Sequence, residues 1–187
     1  MKLGVLALQG AFAEHQAVLE GLGAAVVQVR LPQDLNGLSG LIIPGGESTT
    51  IGKLAVAFGL LEPLRAFGQQ RAIWGTCAGA IFLSKDAHRN QPLLELMDLR
   101  VERNAFGRQV DSFEVALTVP ELGQPPFHAV FIRAPLIEEV WGAARVMASL
   151  PDGRVVAAQQ GRLLATSFHP ELTRDSRFHR FFMELAR

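Results

Sequence analysis

The chain has 187 residues, a length expected to form one domain with a sizeable core over residues 1–187. Its 18 lysines and arginines balance 18 aspartates and glutamates, so no net charge draws it toward nucleic acid or an anionic membrane. One cysteine excludes an internal disulfide, no apolar run approaches the roughly 18–20 residues of a membrane span, and "MKLGVLALQG" lacks the marks of a leader, so the expected location is cytoplasmic.

In chain order, short runs rich in Val, Leu and Ile alternate with segments of helical period. "KLGVLAL" precedes the helical "AFAEHQAVLEGLG", "AAVVQVR" follows, and "LSGLIIP" leads into "ESTTIGKLAVAFGLLEPLRAFGQQ". "RAIWGT" then leads into "CAGAIFLS". Strands apolar on both faces and separated by helices predict a parallel, doubly wound α/β sheet covered on each side. From about residue 99 the segments become strand-like: "LRVERNAF", "DSFEVALTV", "FHAVFIRAP", "RVMASL", "RVVAAQQ" and "RLLATSF". Turn signals at Pro151-Asp152-Gly153 and Gln160-Gly161 separate some of them, which predicts mixed or antiparallel strands added to the same core. The last segment places Phe178, Phe181, Phe182 and Leu185 at helical spacing behind Asp175 or Ser176 as a cap.

The single cysteine sits in Gly75-Thr76-Cys77-Ala78-Gly79, a G-x-C-x-G pattern at a strand-to-helix junction. It is the thiol counterpart of the nucleophile elbow, where a turn this sharp leaves no room for side chains two residues either side of the nucleophile. A helix N-terminus favours a thiolate, lowering a cysteine pKa from its usual value of about 8.5. The Ala78 N–H would point to where a substrate oxyanion forms. The same pattern also suits a small buried hydrophobe at a Gly/Ala-rich helix start.

A thiol nucleophile needs a base and an orienter. His169-Pro170-Glu171 supplies both, because Pro170 biases His169 toward an extended conformation in which residues two apart face the same way. His15, His88, His128 and His179 have no such partner in a His-Pro-Glu arrangement and read as surface or packing residues. No H-E-x-x-H or paired-cysteine pattern occurs, so no metal site is expected.

"LIIPGGESTTIGKL" fails as a phosphate loop: Glu47 stands where the first glycine should, and Leu54 follows Lys53. It reads instead as a strand ending in a glycine turn, with Glu47 and Ser48 opening the next helix. In a parallel sheet this loop and the cysteine elbow share one crevice, so the Gly46 N–H is a candidate second oxyanion donor. Arg103 in "VERNAFGRQ" and Arg133 in "VFIRAP" can each bind a carboxylate through paired hydrogen bonds, or serve as surface charges; spacing alone does not place them at the site.

Together "GVLALQGAFAEH", "GLIIPGGESTTIGKL", "GTCAGA", "VERNAFGRQVDSFE", "VFIRAP" and "SFHPELT" resemble, nearly end to end, the glutaminase subunits of pyridoxal 5'-phosphate synthase, within the class I (triad) glutamine amidotransferases. The resemblance implies a three-layer α/β/α domain with a largely parallel central sheet that hydrolyses L-glutamine to glutamate and ammonia. It implies no cofactor of its own, and ammonia passed to a separate (β/α)8 synthase subunit. It implies Cys77 as nucleophile with His169 and Glu171, and a glutamine pocket of Gly46, Glu47, Ser48, Arg103, Ile132 and Arg133. It also implies that Gln9 lies at the synthase interface, and that Gly45 and Gly46 reorient when the synthase docks, a freedom glycine allows. One departure is Glu95, where relatives usually carry glycine, which bears on the local loop only. Two other readings stay open on sequence: a free-standing cysteine hydrolase of another amide or γ-glutamyl bond, and a silent regulatory binding module.

Overall fold

The computed structural model describes residues 1–103 and 112–187. Its central sheet begins with β1 (Lys2–Leu6), β2 (Ala25–Val29), β3 (Gly40–Ile43) and β4 (Ala72–Thr76), and is extended by β5 (Ser84–Asp86) and β6 (Met97–Glu102). β9 (Leu136–Val140), β10 (Arg145–Ser149), β11 (Val155–Gln160) and β12 (Leu163–Thr166) complete it. The strand order is β2-β1-β3-β4-β12-β11-β9-β6-β5, with β10 paired to β11. From β2 through β12 the pairing is parallel; β11 to β12, β9, and β10 is antiparallel, as is β6 to β9.

Alternation along the buried strands sends side chains to both faces, and each face is covered. Leu41, Ile43, Ile73 and Ala165 pack with residues of α2 (Ser48–Ala57), α3 (Leu61–Gln70) and α4 (Ala78–Leu83). On the other face Val5, Ile42, Trp74 and Leu164 pack against α1 (Phe12–Gly21) and α5 (Arg177–Leu185), giving the expected three-layer α/β/α fold. Phe178 and Phe182 of α5 are fully buried against Trp74, each worth roughly 1.5–3 kcal/mol by area removed from water. Asp175 accepts from the Arg177 N–H at 3.1 Å and so caps α5, whereas the Ser176 side chain makes no capping bond.

Three features are more specific than the sequence indicates. The long helical stretch after β3 divides into α2 and α3 because Gly59 (φ +67°) takes the left-handed turn, and the Leu60 N–H closes it onto the Ala55 carbonyl at 2.7 Å. β7 (Ser112–Leu117) and β8 (Phe127–Ile132) do not join the central sheet; they form their own antiparallel hairpin, whose Leu117, Phe127, Ala129 and Phe131 pack on the α1/α5 face. "LIEEV", unassigned as a strand from sequence, is β9. The "NAFGRQV" part of the Arg103 motif lies outside the described residues.

Candidate active site

Four neighbouring parallel strands, β1, β3, β4 and β12, deliver their carboxyl ends to one edge of the sheet. The segments that follow them carry Gln9, Gly45-Gly46, Cys77 and His169, so topology alone assembles the crevice. A cavity of about 430 Å³ opens there.

Cys77, 7% exposed, has φ 49° and ψ −109°, a conformation that costs a non-glycine residue on the order of 1–3 kcal/mol. Its N–H donates to the Thr166 carbonyl at 2.8 Å and its carbonyl accepts from Ala80 N–H at 3.1 Å, which pins the bend from both sides. The flanking glycines are required sterically. A Cβ on Gly75 would lie 2.4 Å from the Gly79 carbonyl oxygen, as the pattern predicts, but a Cβ on Gly79 would meet strand β3 instead, 2.0 Å from the Ile43 carbonyl oxygen. The elbow is therefore packed against the strand that leads into the glycine loop.

That loop is held from behind. The Ala11 N–H donates to the Gly45 carbonyl (3.0 Å), and Gly10, at φ +100°, passes so close that a Cβ there would lie 1.8 Å from the same oxygen. The Glu47 N–H donates to Gln9 Oε1 (2.7 Å), and a Cβ on Gly46 would collide with that oxygen at 2.3 Å. In a trans peptide the carbonyl and the following N–H point opposite ways, so the Gly46 N–H is directed away from the segment joining β1 to α1. A Cβ on Gly45 would stand 2.6 Å from His169 Cε1 and 3.2 Å from Cys77 Cβ, so glycine there lets loop, thiol and imidazole close up.

His169 follows β12 and its N–H donates to the Val130 carbonyl at 2.8 Å, which ties it to β8. Its Nδ1 pairs with Glu171 Oε1 at 2.7 Å, leaving Nε2 for the Cys77 sulfur. Burial by itself would lower the imidazole pKa; hydrogen bonds to Cys77 and Glu171 outweigh it and raise the value to about 10. The proton thus belongs on the ring at neutral pH. Glu171 has a fully buried side chain, and its Oε2 lies 3.3 Å from His15 Nε2.

Across the cavity Glu47 caps α2, its carboxylate accepting from Thr49 N–H, Thr50 N–H and Thr50 Oγ1–H (3.2, 2.7 and 2.7 Å), and it pairs with Arg103 Nη1 at 2.8 Å. Burial would raise its pKa; the Thr50 hydroxyl, the two N–H donors and the Arg103 guanidinium outweigh that and hold it at about 2. Ser48 is buried at the start of α2, within 3.3 Å of Gln91. Ile132, Arg133 (φ 42°), Ala78 and Gln9 line the same cavity, so it gathers every residue that the sequence assigned to a site. Ala11, Ile81, Pro135 and Leu172 also line it and were not foreseen. The sequence did miss His15, which is fully buried beside Glu171; the one available signal was a histidine on the helix face that Leu19 buries. His179 is likewise a buried packing residue, while His88 and His128 lie at the surface, paired with Glu138 and Glu114. Among the described residues no group of three or more His, Cys, Asp or Glu side chains is disposed to hold a metal ion, and no helix is long and apolar enough to cross a membrane.

A doubly wound sheet with a cysteine elbow and a glycine loop at its carboxyl edge is the architecture of the glutamine amidotransferases. A solved structure described as a glutamine amidotransferase superposes with a TM-score of 0.94 at 50% identity, covering 98% of both chains. PurLQS from Thermotoga maritima shares the fold at a TM-score of 0.68 and 14% identity, over 100% of this chain and 98% of that one. The sequence profile of the SNO glutamine amidotransferase family matches residues 5–187, and the chain belongs to that family. It is 62% identical over 194 residues to the pyridoxal 5'-phosphate synthase subunit PdxT of Herpetosiphon aurantiacus, covering 99% of this chain and all of that one. It is 56% identical over 187 residues to the same-named subunit of Moorella thermoacetica, with 99% of each chain covered.

Proposed function

We propose that residues 1–187 act as one glutaminase domain, which hydrolyses L-glutamine and hands ammonia to a (β/α)8 synthase subunit that makes pyridoxal 5'-phosphate in the cytoplasm. The observation that carries this reading is the hydrogen-bonded line Cys77, His169, Glu171 in a cavity that the Glu47–Arg103 pair also lines. Opposite charges side by side suit the ammonium and carboxylate of a free amino acid. The relatives that bear the subunit's name along their whole length support the destination of the ammonia.

In this mechanism the Cys77 sulfur attacks the side-chain amide carbon of glutamine, and the carbonyl oxygen takes up the negative charge between the N–H groups of Ala78 and Gly46. His169 Nε2 gives its proton to the leaving nitrogen, which departs as ammonia and leaves a glutamyl thioester on Cys77. His169, now neutral, takes a proton from water as it attacks the thioester; glutamate leaves and the thiol is restored. Glu171 keeps Nδ1 protonated so that Nε2 does the transfers. Gln9, at the mouth and bonded behind the glycine loop, is the residue through which a docked synthase would act on the oxyanion donor.

The test is ammonia release from L-glutamine by the chain with and without the synthase subunit. A large increase on adding the partner is expected, along with complete loss in Cys77→Ala and retained partner binding. Robust turnover without a partner would instead indicate a free-standing hydrolase. No turnover, together with no labelling of Cys77 by a glutamine-like chloroketone, would indicate a silent module.

A further inference from the structure

Behind Glu171 lies a second layer of buried polar side chains that the reaction just described does not use. His15 on α1 and His179 on α5 are both fully buried, between the sheet and those helices. His15 Nδ1 is 3.0 Å from His179 Nε2, and His15 Nε2 is 3.2 Å from Thr76 Oγ1 and 3.3 Å from Glu171 Oε2. Trp74 closes the nest with its ring edge-on to both imidazoles. Thr76 is the residue immediately before the nucleophile, so the cluster joins the elbow to the relay. Glu171 Oε2 accepts no well-aligned hydrogen bond; His15 Nε2 lies beside it at 3.3 Å.

Proton counting fixes the direction of this chain. Burial first, then the neighbouring His179 and His169, push the His15 pKa well below its ordinary value, so the ring is neutral and carries one proton. Burial also lowers the His179 pKa to about 4, so it too carries one. If that proton sat on His15 Nδ1, a nitrogen lone pair would face Glu171 Oε2 at 3.3 Å, and that buried oxygen would have no N–H beside it. His179 would then have to accept at Nε2 and bury an unpaired Nδ1–H, since Nδ1 has no partner. With the proton on Nε2, His15 donates to Thr76 Oγ1 with Glu171 Oε2 alongside at 3.3 Å, and His179 Nε2–H donates to His15 Nδ1. His179 Nδ1 is then left over as an uncharged acceptor, and Glu171 Oε2 keeps only the nearby edge of His15.

We propose that His15 is a positioning residue: its Nε2–H, bonded to Thr76 Oγ1 and 3.3 Å from Glu171 Oε2, lays a positive edge beside that oxygen so that the other carboxylate oxygen stays fixed on His169. The inference rests on the reading of Glu171 as the third member of the relay. His15 touches neither substrate nor thiol, and acts by restricting how the carboxylate can turn.

Two measurements test it, and neither needs glutamine or a partner, so their outcome is separate from that of the glutaminase assay. The first uses the parent chain with ¹⁵N-labelled histidine, whose ring nitrogens report their protons by NMR. His15 is expected to be protonated at Nε2, and a bare Nε2 overturns the proposal. The second follows alkylation of Cys77, the sole cysteine, by iodoacetamide across pH. Loosening Glu171 weakens its support of the His169 imidazolium, and with it the support of the thiolate. His15→Met should therefore slow alkylation at pH 7 by about tenfold and move its inflection up by about one pH unit. His15→Gln, which keeps an N–H at the ε position, should stay within about threefold of the parent. Equal profiles for the two variants overturn the proposal. If His15→Met does not fold, the NMR result decides alone.

Discussion

Gly79→Ala probes the contact between the elbow and the glycine loop. A methyl group at that position would lie 2.0 Å from the Ile43 carbonyl oxygen and 2.8 Å from its carbon, both backbone atoms of β3 that no rotamer change can clear. Relief requires α4 and β3 to part by about 1 Å, an overpacking cost of about 1–3 kcal/mol. In a chain of this size about 2–4 °C of Tm goes with each kcal/mol, so a fall of roughly 2–12 °C is expected by scanning calorimetry. The functional effect should be larger than the thermal one. Ile43 leads through Pro44 into Gly45-Gly46, and a displacement of that order between a reacting atom and its oxyanion donor costs about 100-fold in rate. Ammonia release with the synthase present should fall by about that factor while synthase binding persists. The matching control is Gly21→Ala, where an added Cβ meets nothing within 4 Å. Full activity and an unchanged Tm in Gly79→Ala would refute the claim that the elbow is wedged against β3.

Glu47→Gln should flatten the acid limb of stability. The carboxyl pKa of Glu47, held at about 2 in the fold against 4.5 normally, contributes stability that is present above pH 4.5 and fades as pH falls toward 2. With 34% of that side chain exposed, solvent screening reduces the effect to about 1 kcal/mol. Urea unfolding at pH 6 and pH 3 should therefore show the parent losing about that much more than the variant, and identical losses would refute it. Glu95→Gly should raise stability: Glu95 sits at φ 59°, a left-handed conformation that costs a residue with a Cβ about 1–2 kcal/mol. Glycine's greater freedom when unfolded offsets part of that gain, and the exposed Arg65 contact at 3.6 Å is worth little. A net rise of about 0.5–1 kcal/mol is expected in the same denaturation assay, and a fall would show that the bend is not strained.

The sequence revealed those parts of the site whose chemistry is local. Cys77 between its glycines and His169 two residues from Glu171 declare themselves because each pattern spans one turn of chain. The loop of Gly45 and Gly46 was legible for the same reason. Gln9 entered only through resemblance, since its bond to the Glu47 N–H is set by β1 lying beside β3. His15 was invisible as a partner of Glu171 because α1 and the turn after β12 meet only in the folded molecule. In the fold, alternation marked the strands but not their partners: β7 and β8 look like sheet extensions, yet pair only with each other. Gly59 does not stand out in the sequence because the helical spacing resumes straight after it. Even the Glu95 departure gained a physical meaning only from its positive φ.

β12 enters the sheet between β4 and β11, not at an edge. During synthesis the sulfur of residue 77 therefore emerges long before its base, and the gap beside β4 stays open until residues 163–171 arrive to fill it. A nascent chain that stops short of β12 holds an unassisted thiol, so this one strand both seals the middle of the sheet and arms the nucleophile.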